Sequence, residues 1–66
     1  MPGSNITVDQ LMVLLWSSEG RPLLDIAKIE GLSKREVERK LHSISMRLNA
    51  SSLEEAHKTA TLLGLI

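Results

Sequence analysis

The chain has 66 residues, a single tryptophan, no cysteine and a formal net charge of zero. That length makes one small domain, which buries only about 60% of its unfolded surface and leaves no room for a deep substrate cleft. The absence of cysteine excludes a disulfide framework and a thiolate metal site, and it fits a reducing compartment, so a cytoplasmic setting is expected.

No apolar run approaches the roughly 18 residues of a membrane span, and Met1-Pro2-Gly3-Ser4 lacks the basic and apolar parts of a signal peptide. Residues 1–5 read as a disordered lead or cloning remnant, and 6–66 as the domain. The first helix is expected over about 8–18. Thr7 serves as N-cap with Gln10 as its capping-box partner, and Ile6 is stapled to Leu11.

The second helix, over about 22–30, starts at Pro22, a favoured first helical position, and stops before Gly31. The third, over about 34–48, repeats the first device, with Ser33 capping, Glu36 reaching back and Leu32 stapled to Val37. The fourth, over about 53–63, opens on Ser52 with Glu55 or on Ser51 with Glu54. No strand pattern occurs, so the fold class is all-α, four helices without a wing.

The 3.6-residue period puts Leu11, Leu14, Leu15 and Trp16 inward in the first helix, and Leu23, Ile26 and Ala27 in the second. Val37, Leu41, Ile44 and Leu48 follow in the third. Leu53, Ala56, Ala60 and Leu63 close the fourth side. Ala27, Gly31, Leu32, Ser33 and Val37 have the spacing of a helix-turn-helix. A small residue allows close approach, a glycine can end the first helix in the left-handed conformation, and Val37 packs the second helix back.

The zero net charge hides an asymmetry. Between Lys34 and Arg47 stand five basic and two acidic residues, an excess of +3 that the rest of the chain cancels. The positive field is therefore concentrated on the third helix. Stepping 100° per residue from Val37 puts Arg35, Arg39, His42 and Met46 on the outer side, flanked by Glu38 and Lys34. Arginine suits a groove helix because its planar fork can bond guanine O6 and N7 together. Arg39 is the first choice for a base contact; Glu38 can accept from a cytosine amino group or pair with His42 or Arg35.

Lys34, Lys40 and Arg47 are the expected phosphate contacts. Arg21, with the free amides after Pro22, offers another at the positive end of the second helix. His42 and His57 lie fifteen residues apart and have no metal-ligand spacing. No metal or cofactor is expected.

From Ile6 onward the chain resembles the LuxR/GerE-type helix-turn-helix domain without a gap. Ile6-Thr7 falls on the family's "LT", Val13-Leu14 on its "VL" and Gly20 on the glycine before its second helix. Ile26-Ala27 falls on "IA", Leu32-Ser33 with Val37 and Leu41 on "IS" and "V…L", and Ile44 with Leu48 on "I…KL". Glu55-Ala56 matches "EA", and Gly64-Leu65-Ile66 the closing "GLI".

The resemblance implies a bacterial transcription regulator that binds double-stranded DNA, with the third helix in the major groove. Carried over by register, the family's base-reading positions are Glu38, Arg39 and His42; the family commonly has lysine where Glu38 stands. It also implies a two-fold homodimer through the fourth helix, formed on DNA, and as further partners RNA polymerase or an upstream regulatory domain. The strip of the fourth helix next to its buried face carries Glu54, His57, Lys58 and Thr61, which is polar for a dimer seam.

No enzyme is expected, since no nucleophile has a positioned base, no Gly-rich phosphate loop occurs and no paired carboxylates line a pocket. The competing reading is a helix-turn-helix-like protein-interaction module that modulates another regulator without binding DNA.

Overall fold

The computed structural model describes residues 6–66, and the lead expected at 1–5 lies outside them. Four helices follow in chain order: α1 (Val8–Ser18), α2 (Leu23–Glu30), α3 (Lys34–Arg47) and α4 (Leu53–Leu62). No strand occurs among the described residues.

The capping chemistry explains where three of them begin. Gln10 N–H donates to Thr7 Oγ1 at 3.1 Å, and Thr7 N–H donates to Gln10 Oε1 at 3.1 Å. Ser33 and Glu36 form the same reciprocal pair ahead of α3, at 2.9 and 3.1 Å. At α4, Ser52 Oγ accepts from Glu55 N–H, but the Glu55 carboxylate bonds the N–H and hydroxyl of Ser51. The two serines thus divide the device between them.

Pro22 departs from expectation. Its ψ of 153° is extended, so it is the N-cap of α2 and helical structure starts at Leu23. Proline also has no side-chain acceptor, so the amides that open α2 carry no side-chain cap.

Gly31 ends α2 with φ 69° and ψ 34°, and Leu32 N–H closes on Ala27 O at 2.8 Å. This left-handed residue, followed by Leu32 and the Ser33 cap, turns the chain from α2 into α3 within three residues. Asn49 does the same work after α3, with φ 59° and Ala50 N–H bonded to Ser45 O.

The core consists of Val13 and Leu14 from α1, Ile26 and Ala27 from α2, Val37, Leu41 and Ile44 from α3, and Ala56 and Ala60 from α4. Ile6, Leu11, Trp16, Leu23, Leu32 and Leu48 pack around it, half-buried. Two expectations fail on α1: Val13 is fully buried and Leu15 only half-buried, so the inward stripe is rotated toward Val13. Two fail on α4. Leu53 and Leu63 are 37% and 63% exposed, because the alanines alone bring α4 close enough to seal the core.

Helix α3 runs through the middle of this arrangement and packs on each of the other three, while α2 and α4 do not touch each other. That separation has two effects on the surroundings of α3. One side of α3 is left bare, and a cleft opens beside it.

Candidate nucleic-acid interface

Every residue on the outer side of α3 is fixed by what the inner side buries. Val37, Leu41 and Ile44 hold the helix, and the turn geometry then exposes Lys34, Arg35, Glu38, Arg39, His42, Met46 and Arg47. Lys40 is half-buried. Arg35, Arg39, His42 and Met46 follow one another at intervals of three and four residues, which aligns them along one line of the helix.

These cations are uncommitted. Among the described residues the one ion pair is Arg21 Nε to Glu19 Oε1, at 3.4 Å, and none joins a carboxylate to Lys34, Arg35, Arg39, Lys40 or Arg47. The sequence allowed Glu38 to pair with His42 or Arg35; it bonds neither. Glu36 is spent as a cap, where the N–H and hydroxyl of Ser33 hold its carboxyl below the usual range, with Lys40 and Arg39 adding to the effect. The acid nearest the start of α3 is therefore engaged by the Ser33 cap of its own helix.

Arg21 is less free than the sequence suggested. Its guanidinium lies 5.1 Å from the centroid of the Trp16 ring while its Nε meets Glu19. The Trp16 indole N–H in turn donates to Glu30 Oε2 at 2.8 Å. The single aromatic thus ties the turn before α2 to the end of α2, a role that periodicity alone does not reveal. Arg21 stays partly exposed beside the uncapped amides of α2.

On α4, Glu54, Lys58 and Thr61 are exposed, but His57 is half-buried. His57 Nε2 meets Ser17 Oγ at 3.1 Å, joining α4 to α1, and Thr61 donates to His57 O. Burial pushes the His57 imidazole below its ordinary value, and Glu54 pulls weakly the other way. The strip expected at a dimer seam therefore contains one residue already engaged within the domain. Beyond it, Leu62 is 81% exposed.

Beside α3, where α2 and α4 stand apart, lies a cleft of about 500 Å³. Leu23 of α2 and Leu53 of α4 line it together with Leu41, Met46 and Ala50. Glu38 and His42 belong to both the cleft and the outer line of α3. Sequence reasoning placed Leu53 in the core and missed this cleft, since nothing in a helical period tells how far apart two neighbouring helices stand.

Among the described residues no group of three histidine or acidic side chains could hold a metal ion, and no helix is long and apolar enough to cross a membrane. No family model, curated protein or solved structure matches the chain.

Proposed function

We propose that the chain binds double-stranded DNA sequence-specifically as a helix-turn-helix domain of the LuxR/GerE type, the output element of a bacterial transcription regulator. The observation that carries this reading is the state of α3. Its inner side is held by three helices while its outer side presents unpaired arginines in line. A rod so supported can enter a major groove without paying for the ordering of its own backbone.

In this reading Arg39 reads a guanine through O6 and N7, with Arg35 and His42 on either side along the helix and Glu38 accepting from a cytosine amino group. Lys34, Lys40 and Arg47 neutralise phosphates, and Arg21 adds a backbone contact near the start of α2. A two-fold arrangement on DNA would use the exposed part of the Glu54, Lys58, Thr61 strip, with the engaged His57 beneath it.

The test is duplex titration at two salt concentrations, with sites recovered from random sequence. Affinity should fall as salt rises, with a slope set by the phosphates contacted. Arg39→Ala should cost about 1–3 kcal/mol and blur one position of the site, whereas Lys34→Ala should weaken all sequences alike and lower the salt slope by about one. Parental binding by both variants would remove α3 from the interface. A chain that ignores duplex altogether, even in dilute buffer, would instead favour the protein-interaction module, for which the exposed Leu62 and Leu63 offer a surface.

A further inference from the structure

The cleft beside α3 has a composition of its own. Its walls are apolar, from Leu23, Leu41, Met46, Ala50 and Leu53, and its volume of about 500 Å³ lies within the range of small-molecule sites. The hydroxyls on its lining are already bonded within the chain: Ser45 donates to Leu41 O, Ser51 to Glu55, and Ser52 accepts from Glu55 N–H. Glu38 and His42 are different. Neither is bonded to any described residue, and Glu38 is the only carboxylate among the lining side chains.

A ligand for this cleft must match an apolar slot with an unpaired anion beside it. The lining contains no lysine or arginine, and Lys34 and Arg35, one turn earlier on α3, do not contribute to it. An anionic ligand would meet Glu38 directly and gain no cation inside. An uncharged one could offer the carboxylate at most a neutral donor, which makes a weaker bond than an ammonium does.

We infer that this cleft is a binding site for a small amphipathic amine, whose apolar body lies between Leu23 and Leu53 and whose ammonium pairs with Glu38. The occupied cleft also covers Glu38 and His42, two side chains of the outer line of α3. Ligand and duplex then compete for the same surface. This last consequence rests on the DNA-binding reading, whereas the site itself does not.

The experiment uses the full chain and three probes that share a ring system: naphthylmethylamine, naphthylmethanol and naphthylacetate, followed by methyl and amide NMR shifts. The amine should move the signals of Leu23, Met46, Ala50 and Leu53 at the lowest concentration. Glu38→Gln, an exposed and therefore fold-tolerant change, should weaken the amine by about tenfold and abolish its advantage over the alcohol. Met46→Ala, also at an exposed position, should weaken amine and alcohol alike. Equal binding of the three probes, a preference that survives Glu38→Gln, or shifts confined to other residues would overturn the site.

In a second arm the amine is titrated into the protein–duplex complex. Release of duplex in step with occupancy of the cleft supports competition, and unchanged duplex affinity at full occupancy overturns it. A protein that binds the amine but no duplex would sink the DNA reading and leave the cleft assignment standing.

Discussion

Helix α3 buries Val37, Leu41 and Ile44 between three neighbours, whereas α4 meets the core with Ala56 and Ala60 and leaves Leu62 and Leu63 in solvent. Fully burying a branched side chain contributes about 1.5–3 kcal/mol, and a single methyl group about 0.8 kcal/mol. The two helices therefore share a core but not a grip on it. The element that carries the arginines buries the larger side chains, and the element with the exposed leucines buries only alanines.

The comparison breaks most directly at the core of α3. Ile44→Ala should cost about 2–5 kcal/mol by chemical denaturation, a large part of what a domain of this size has to lose. Leu62→Ala, its counterpart on the exposed end of α4, should stay within about 0.5 kcal/mol. Similar losses at both positions would show that α4 is held as firmly as α3.

A smaller effect is expected at the turn that orients α3. Gly31→Ala forces an L side chain into a left-handed conformation at about 1–2 kcal/mol, seen as a lower thermal midpoint. A methyl group built there meets nothing within 4 Å, so the loss would be entirely backbone strain. Gly31→Asn should recover part of it, since asparagine tolerates this conformation better.

Acid should separate the two helices more gently. His57 is held below its ordinary value of 6.5 in the fold, so the unfolded chain takes up the proton more readily. The stability contributed by neutral His57 is present above about 6.5 and is lost as pH falls through the lowered value. Glu36 and Glu55 are also lowered, from 4.5, and their contribution persists above that value and disappears only as pH falls below it. Amide protection at the α1–α4 contact should thus decline before that of α3, and His57→Gln should remove the first step alone. Simultaneous loss in both helices would contradict the division.

Much of the fold was legible because its determinants lie three or four residues apart. Thr7 with Gln10, Ser33 with Glu36 and Ser52 with Glu55 set three helix starts, and Gly31 set one end. The outer residues of α3 were legible too, since burying Val37, Leu41 and Ile44 leaves only one side for the arginines. Pro22 stands one position earlier than expected because its ring fixes only φ, here −62°, which suits a first helical residue, and leaves ψ free to be extended.

The residues that could not be ranked were those whose burial depends on another helix. Leu15, Leu53 and Leu63 are as apolar as Leu14 and Leu41, yet Leu15 is only half-buried and Leu53 and Leu63 are exposed, because no neighbouring helix covers them fully. Trp16 packs against the core as its period predicts, but its partners Arg21 and Glu30 come from the turn before α2 and from its end.

Chain chemistry by itself therefore determined four helices, their caps, the turn at Gly31 and the line of cations on α3, all products of local hydrogen bonding and helical period. Only tertiary packing decided that α4 would rest on two alanines, that α2 and α4 would stand apart, and that the gap would become a cleft beside Glu38. Contacts between helices depend on the volumes and distances of groups far apart in sequence, and a repeat of 3.6 residues carries no information about either.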